Sequence, residues 1–293
     1  HSMGAKHCHL VIGHGGEMVK QTILGNGVEL SYVEQTEQLG TGHAVKMSLD
    51  GLPDDQPTLI LYGDVPLTHQ DTLSQLVDIH LNDPKGIALM TCFLEDPTGY
   101  GRITRDANNV VNGIVEHKDA SEEQKLIDEV NTGILCCNSS QLKEWIGRLN
   151  NNNAQGEYYL TDIIAMAVDD GNQVTTAQPV ELYEVEGINT LTQLAELERV
   201  WQLQMAKDLM AGGVTLMDPT RFDLRGTLVS ESDVVIDINC VIEGKVFIKE
   251  GAQIGPNVCL KDCTIGANSI VKANSVIEGA IMEANCSAGP FAR

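Results

Sequence analysis

The stretch VVIDINCVIEGKVFIKEGAQIGPNVCLKDCTIGANSIVKANSVIEG, residues 234–279, decides the fold of the second half of the chain. Aliphatic residues recur in it every six positions, apart from a five-residue step between Leu260 and Ile265. They are Ile236, Ile242, Ile248, Ile254, Leu260, Ile265, Val271 and Ile277. Neither an α-helix nor an ordinary strand has this period, whereas each hexapeptide of a parallel β-helix places one aliphatic side chain inside. The spacing therefore predicts a parallel β-helix.

The length of this repeat limits how much β-helix is expected. One coil needs three hexapeptides, so residues 236–277 supply little more than two coils. Stacks of repeats need several units and a polar cap to be stable and soluble. The chain reaches Arg293 without an evident cap, which predicts that only the first coils of a longer β-helix are present.

Upstream of the repeat, residues 4–189 have the pattern of an α/β domain. Short apolar runs at 9–12, 30–33, 58–62, 87–93 and 130–136 alternate with helical patterns at 70–81, 139–149 and 159–168. Nearly continuous apolar strands between helices predict a mostly parallel sheet that is covered on both faces. Residues 102–104 and 110–115 flank the turn-forming tetrapeptide DANN, so they predict a β-hairpin inserted into this domain.

A single helical pattern lies between the α/β pattern and the hexapeptide repeat. Between residues 190 and 213, apolar side chains are spaced by three or four positions before Gly212 and Gly213 end the pattern. They are Leu191, Leu194, Leu197, Trp201, Met205 and Leu209. We expect a connector helix over 190–213 whose apolar stripe packs into the core on both neighbours, followed by the β-helix over 222–293.

Composition excludes several classes of function. The 293 residues carry 19 lysines and arginines against 41 aspartates and glutamates, a formal net charge of −22. This acid excess disfavours binding to nucleic acid or to anionic lipid, because both are polyanions. No run of about 18 apolar residues and no secretory pattern occurs. We therefore predict a soluble, cytoplasmic protein whose eight cysteines are reduced and mostly buried.

Asp64 is the first candidate for chemistry. It follows the apolar run TLILY, residues 58–62, at the carboxyl end of a predicted strand. In open α/β sheets this edge binds ligands, so Asp64 is placed to hold Mg²⁺ against a phosphate. An Asx turn in which Pro66 fixes the exit accounts for the same residues equally well.

The segment QTEQLGTGHA, residues 35–44, is a second candidate. Its glycines let backbone amides approach a ligand, and Gln35 and Gln38 can pair with donors and acceptors of a nucleobase edge. A glycine-rich turn with solvated glutamines accounts for it as well. The GHGG sequence at 13–16 lacks the lysine and the spacing of a phosphate loop, so we interpret it as a tight turn.

Four further stretches offer polar groups at strand ends. Residues 99–102, 116–118 and 129–133 suit hydrogen bonding to sugar hydroxyls or an acetamido group, although ordinary loops have the same pattern. In residues 186–189, Asn189 offers a carbonyl oxygen that could complete a metal site. Alternatively, Asn189 or Thr190 caps the connector helix.

Taken together, these segments resemble one enzyme family over nearly the whole chain. The matching segments are GHGG (13–16), EQLGTGHA (37–44), LYGDVPL (61–67), DPTGYGRI (96–103), IVEHKDA (114–120), NTGI (131–134), NNNAQGEYYLTD (151–162), EVEGIN (184–189), RFDLRGT (221–227) and the hexapeptides. The chain resembles the bacterial bifunctional N-acetylglucosamine-1-phosphate uridylyltransferase / glucosamine-1-phosphate acetyltransferase family. This resemblance implies a Rossmann-like nucleotide-diphospho-sugar transferase domain over 4–189, followed by a left-handed parallel β-helix through which three chains form a homotrimer.

The resemblance also implies a reaction and roles for residues. UTP and N-acetylglucosamine 1-phosphate would give UDP-N-acetylglucosamine, a precursor of peptidoglycan and lipopolysaccharide, and pyrophosphate. Asp64 and Asn189 match the family's Mg²⁺ ligands. The uracil side is matched by Gln35, Gly40 and Thr41, with Gln38 close by. The amino sugar and its phosphate are matched by Tyr62, Gly101, Glu116, Asn131 and Thr161.

Two departures from the family pattern matter. The family's first strand and its glycine-rich, cation-bearing loop are not found before residue 5, so no catalytic residue is identified and impaired uridylyltransferase activity is expected. The later coils that carry the acetyltransferase site are not found either, so no acetyltransferase activity is expected. Two alternatives stay open: a nucleotidylyltransferase for another hexose 1-phosphate, and a non-catalytic nucleotide-sugar-binding or trimer-assembly module.

Overall fold

The computed structural model describes residues 3–293 with the exception of residues 24 and 26. The chain forms two compact units, residues 1–187 and 188–293. The strands of the first unit are β1 (His7–Ile12), β2 (Glu29–Glu34), β3 (Pro57–Ile60), β4 (Ile87–Phe93), β5 (Arg102–Arg105), β6 (Val111–Val115), β7 (Glu129–Asn138) and β8 (Val174–Ala177). Its helices are α1 (Gly16–Thr22), α2 (Thr41–Ser48), α3 (Gln70–Asn82), α4 (Ser139–Arg148) and α5 (Asp162–Asp169).

The strands of this unit form two sheets. β1 and β2 pair in parallel, and the larger sheet has the order β6-β5-β7-β4-β8, with β3 also paired to β7. β4 and β8 are parallel, whereas β7 runs antiparallel to β3, β4 and β5. The apolar run at 130–136 is therefore an antiparallel strand among its neighbours. A continuous apolar run reports burial on both faces but not direction, and β7 follows the β5–β6 hairpin rather than a crossover helix.

Helices cover both faces of the larger sheet, as predicted. Along β4, Ile87 and Leu89 enter one apolar cluster while Ala88 and Met90 enter the other, since successive side chains of a strand point to opposite faces. The first cluster contains Trp145 of α4, and α3 contributes to the second. The hairpin is also confirmed, with β5 and β6 paired antiparallel around residues 106–110.

The second unit begins with a long helix, α6 (Leu191–Ala211). Only part of its predicted apolar stripe is buried: Leu197 is 3% exposed, but Leu191 is 84% and Trp201 44% exposed. The buried face includes Gln202, whose side chain bonds to both the N–H and the C=O of Leu224. A polar residue thus occupies the core face because the backbone satisfies it, and the prediction of core packing holds for Leu197 but is wrong for Leu191 and Trp201.

The rest of this unit is a parallel β-helix, as predicted. Its strands are β9 (Thr215–Leu216), β10 (Phe222–Ser230), β11 (Val235–Ile236), β12 (Cys240–Ile248), β13 (Gln253–Ile254), β14 (Cys259–Lys261), β15 (Thr264–Ile265), β16 (Ile270–Val271), β17 (Val276–Glu278), β18 (Ile281–Met282) and β19 (Ser287–Ala288). One face is the five-stranded stack β19-β16-β13-β11-β9, so four coils lie between its ends. Residues 236–277 account for two of these coils, as estimated, and the stack is longer than this run because its first and last rungs use Leu216 and Ala288 rather than hexad aliphatics.

The five-residue step in the repeat is a shortened corner. Ile248 pairs with Ile265, and Ile265 pairs with Met282, so the interior register is kept through it. The corner residues Asp262 and Gly279 have positive φ angles of 45° and 60°. No helix in the part of the chain that the structure describes is both long and apolar enough to cross a membrane.

Candidate functional site

The site is built around Tyr62, two residues after the end of β3. Its ring lies against Gly133, where an added Cβ would come within 2.5 Å of the Tyr62 Cε2 atom. Burial, together with the nearby charges of Glu116 and Asp64, raises the pKa of Tyr62 to about 12 against the opposing effect of the Thr41 hydroxyl. Tyr62 is therefore a neutral hydroxyl donor at physiological pH, next to two carboxylates.

An irregular part of β7 supports the Tyr62 ring. Gly133 has a positive φ of 85°, and its N–H donates to the Asn131 Oδ1 atom at 3.0 Å. The Asn131 N–H in turn donates to the Gly101 carbonyl at 2.9 Å. Opposite this segment, the β4–β7 register shifts between Leu89 and Thr91. The bulge and the bond from Gly133 fix the Asn131 side chain, and bulges commonly re-aim side chains at sites.

Glu116 is the next member of the cluster. The Thr161 hydroxyl donates to its Oε1 atom at 2.8 Å. Gly101 lies beside it, and an added Cβ there would be 3.4 Å from both carboxylate oxygens. The structure thus brings together all five residues matched to the amino sugar and its phosphate: Tyr62, Gly101, Glu116, Asn131 and Thr161.

One acidic residue near this cluster was not singled out from the sequence. Burial raises the pKa of Asp162, and the charges of Glu116 and Asp119 raise it further. Asp162 begins α5 directly after Thr161, within the quoted motif NNNAQGEYYLTD, which was the available signal. These acceptors suit a ligand rich in hydroxyl and amide donors.

The segment at 35–44 forms a second group in the same unit. Gly40 has a φ of 103°, and an added Cβ would come within 2.7 Å of the Tyr158 carbonyl oxygen. The Gly42 N–H donates to that carbonyl at 2.8 Å, and the Leu160 N–H donates to the Thr41 hydroxyl oxygen at 3.2 Å. The segment before α2 therefore lies along residues 158–160, which lead directly into Thr161.

The two predicted glutamines differ in their surroundings. Gln35 is half-buried, and its Nε2 atom lies 3.2 Å from the Gly40 carbonyl oxygen and 3.0 Å from the Nδ1 atom of His43. Gln38 is exposed, and its Nε2 atom would lie 3.3 Å from a Cβ added at Gly13. Only Gln35 is thus bonded into the glycine-rich segment.

The GHGG segment forms a tight turn, as predicted. The Gly16 N–H donates to the Gly13 carbonyl at 3.2 Å, and Gly15 has a positive φ of 78°. The helix that follows has only seven residues. We assign no ligand to this turn.

Asp64 is exposed on the turn after β3. The alternative Asx turn needs a backbone N–H two residues later, and Pro66 has none. An accessible carboxylate on a rigid turn fits Mg²⁺, which is commonly held by one or two carboxylates together with substrate phosphates. Within the described residues no group of three or more His, Cys, Asp or Glu side chains could hold a metal, so protein carboxylates alone do not form a cage here.

Asn189, the other predicted ligand, belongs to the second unit. The alternative role as a helix cap falls to Thr190, which accepts from the Gln193 N–H in a capping box. The backbone N–H of Asn189 donates to the Gln193 side chain at 2.9 Å. Its role as a metal ligand stays a prediction.

Each of the two units is similar to a known protein family, and the chain as a whole is similar to known proteins. The nucleotidyl transferase family model matches residues 9–182, and the GMPPB C-terminal domain model matches residues 224–293. The bifunctional protein GlmU of Stutzerimonas stutzeri (strain A1501) is 55% identical over 284 residues, covering 97% of this chain and 62% of that protein. GlmU of Marinobacter nauticus is 52% identical over 292 residues, covering 99% of this chain and 63% of that protein. The chain thus spans a little under two thirds of the length of these relatives.

A solved structure supports the fold. The crystal structure of UDP-glucose pyrophosphorylase complexed with UDP-glucose aligns with a TM-score of 0.53, covering 68% of this chain and 81% of that one. The sequence identity is 15%, so this likeness concerns the fold alone.

Proposed function

This chain belongs to the nucleotidyl transferase family, and we propose that it transfers a uridylyl group from UTP to N-acetylglucosamine 1-phosphate. The reaction joins a phosphate oxygen of the sugar phosphate to the α-phosphorus of UTP and releases pyrophosphate, giving UDP-N-acetylglucosamine. The carrying observation is the cluster of Tyr62, Gly101, Glu116, Asn131 and Thr161, in which Thr161 is hydrogen-bonded to Glu116 and Asn131 to Gly101. Similarity to the GlmU relatives, at 52–55% identity, supports the choice of substrates.

The cluster acts by binding and orienting the sugar. Glu116, held by the Thr161 hydroxyl, accepts from a sugar hydroxyl. Asn131 hydrogen-bonds the acetamido group, and the neutral Tyr62 hydroxyl donates to the sugar or its phosphate. Phosphoryl-type transfer depends mainly on positioning and on neutralising charge. Rigid hydrogen-bonding groups therefore suffice to position the sugar phosphate.

Mg²⁺ is the proposed cofactor. When bound, it neutralises and orients phosphate oxygens, which also lets an acidic protein accept an anionic nucleotide. Asp64 would hold it through its exposed carboxylate. Asn189 is the proposed second ligand, on the resemblance of EVEGIN (184–189) to the family motif. The proposal places the enzyme in the cytoplasm, where its eight free cysteines stay reduced.

The β-helix is proposed to form a homotrimer. Val229, Phe247, Thr264 and Ile281 pair in register along one outer face. Val229, Phe247 and Ile281 are 56%, 47% and 77% exposed and form an apolar stripe, interrupted by Thr264, of the kind that marks an interaction surface. We expect Phe247→Lys to lower the mass measured by light scattering after gel filtration. Ile270→Lys, at a 40% exposed position on another face, is the control.

The decisive experiment measures pyrophosphate release and ligand binding on the same protein. We expect Mg²⁺-dependent release from UTP with N-acetylglucosamine 1-phosphate, and a higher melting temperature with UDP-N-acetylglucosamine. Glu116→Gln should raise the KM for the sugar phosphate about tenfold, the size of one lost charge-assisted hydrogen bond. Glu122→Gln, on the exposed turn before Gln124, is the control and should leave the KM unchanged.

Two outcomes would contradict the proposal. The absence of both pyrophosphate release and a melting shift with UDP-N-acetylglucosamine would overturn the function itself. Faster release with glucose 1-phosphate than with N-acetylglucosamine 1-phosphate would favour another hexose 1-phosphate as the substrate.

A further inference from the structure

The side chain of Gln35 is held by two neighbours from the segment that follows it. Its Nε2 atom lies 3.2 Å from the Gly40 carbonyl oxygen and 3.0 Å from the Nδ1 atom of His43. The Gly40 carbonyl also accepts the first helical hydrogen bond of α2, from Ala44 at 3.1 Å. The position of that carbonyl is therefore fixed by the helix start.

These contacts decide which way the Gln35 amide faces. A carbonyl oxygen can only accept, so the atom next to it must be the amide nitrogen and not the amide oxygen. The nitrogen has two hydrogens, and the Gly40 oxygen and His43 Nδ1 take one each. The only group that Gln35 has left for a ligand is the Oε1 atom, which is an acceptor.

The same contacts decide which ring nitrogen of His43 carries the proton. Because Nδ1 accepts from Gln35, the ring proton must be on Nε2. The ring is kept in place on α2, with its centroid 6.5 Å from that of Tyr158. His43 with Nδ1 protonated would face the Gln35 nitrogen with a second donor, and the amide would have to turn over or move away.

We propose that His43 is a positioning residue that locks Gln35 as a pure hydrogen-bond acceptor and thereby selects a nucleobase with a ring N–H. Uracil presents such a donor at N3. The N3 atom of cytosine is an acceptor, and two acceptors cannot form a hydrogen bond, so cytosine would leave the Gln35 oxygen unpaired. This inference rests on the proposed uridylyl transfer and deepens it, since it names the residue that sets the choice of base.

The selection of the base can be altered without substituting Gln35 itself. If His43 stops accepting, only the Gly40 carbonyl still holds the Gln35 amide nitrogen, so the amide turns over at a lower cost and can then offer its nitrogen as well as its oxygen. A site built to hydrogen-bond one partner rejects the wrong one because a polar group is left unpaired. Loss of the lock should therefore reduce the preference for uridine nucleotides by roughly tenfold or more, mostly through tighter CTP binding.

Two substitutions separate this role from simple packing. His43→Leu removes the acceptor, and His43→Asn retains one, because the Asn side-chain oxygen can take the place of Nδ1. The ring faces a cavity of about 530 Å³ that is also lined by Leu39, Met47 and Tyr158, so either shorter side chain can be accommodated.

The test measures kcat/KM for UTP and for CTP, and the binding of UDP and CDP by calorimetry, on the full chain and both variants. We expect His43→Leu to lose most of the preference for uridine nucleotides with little change in kcat, and His43→Asn to restore it. An unchanged preference in the Leu variant, or equal losses in both variants, overturns the positioning role. A wild-type chain that binds neither UDP nor UTP instead overturns the proposed function.

A spectroscopic measurement checks the lock without turnover. Long-range ¹H–¹⁵N spectra distinguish the two neutral forms of an imidazole, and His43 is assigned by the signal that His43→Asn removes. We expect its proton on Nε2 at neutral pH. A proton on Nδ1 would contradict the inference directly.

Discussion

Gly133 shows how much of the candidate site depends on one residue. Its φ of 85° is strained for any side chain, and an added Cβ would meet the Tyr62 ring at 2.5 Å. We expect Gly133→Ala to lower the free energy of unfolding by about 1–3 kcal/mol and to displace Tyr62. Urea unfolding measures the first effect, and the melting shift with UDP-N-acetylglucosamine measures the second.

A matched glycine serves as the control for this prediction. Gly147 lies in α4, has nothing within 4 Å of an added Cβ, and does not have a positive φ. Gly147→Ala should raise the free energy of unfolding by up to about 1 kcal/mol, because alanine loses less backbone freedom in a helix. Equal destabilisation by both substitutions would argue against a special role for Gly133.

At the scale of elements, an ion pair between Arg105 of β5 and Glu129 of β7 connects neighbouring strands of the larger sheet. Glu129, 5% exposed, accepts from Arg105 at 2.6 and 2.8 Å, and from the Thr91 hydroxyl at 3.0 Å. Arg105 also donates to the Thr176 hydroxyl. Side chains from β5 and β4 thus converge on the residue that begins β7, two positions before Asn131, and Arg105 links this pair to β8.

Removing this charge should destabilise the first unit. We expect Glu129→Gln to cost about 2 kcal/mol of unfolding free energy, because Arg105 keeps its charge in a largely buried place. Glu122→Gln breaks an exposed pair with Lys125 and should cost less than about 0.5 kcal/mol. Urea unfolding of both variants measures the difference, and equal small effects would mean that the buried pair contributes nothing.

The β-helix allows a comparison of the two sides of one strand stack. Ile254 is 2% exposed and pairs between Ile236 and Val271 inside the coils. Ile270 belongs to the same strand stack, but its side chain is on the outer side and is 40% exposed. Ile254→Ala should lower the unfolding free energy by about 2–5 kcal/mol through a cavity. Ile270→Ala should change it by less than about 0.5 kcal/mol. Similar losses in urea unfolding would contradict the assignment of interior and exterior.

At the scale of the whole molecule, the reactivity of the cysteine thiols depends on whether the chain is folded. All eight are free, as predicted, and five are buried, while Cys286 is exposed. Burial raises the pKa of Cys92, Cys240 and Cys263 to about 11 and that of Cys136 to about 12. Since the thiolate is the reactive form, these groups are almost wholly protonated at pH 8.

Labelling with a disulfide reagent at pH 8 should therefore show one fast thiol and two slower ones. The fast one is Cys286, which Cys286→Ser removes, and the slower ones are the half-buried Cys8 and Cys259. The other five should react only after denaturant is added, when burial no longer raises their pKa. Eight fast thiols in native protein would contradict the described core.

Much of this protein was determined by its sequence alone. The hexapeptide period gave the β-helix because each hexad buries its own aliphatic, so the signal is local. Alternating strand and helix patterns gave the α/β unit in the same way, and the quoted motifs identified the residues that the structure gathers around Tyr62. Local periodicity states which side of a segment is buried, and that information survives without any partner.

Only the tertiary structure decided how the segments meet. The antiparallel direction of β7, the satisfied Gln202 on the buried face of α6 and the fourth coil of the β-helix all depend on pairing with distant residues. The orientation of the Gln35 amide depends on a histidine eight residues away across a turn. Hydrogen-bond direction and strand direction are properties of pairs, and a sequence pattern describes one segment at a time.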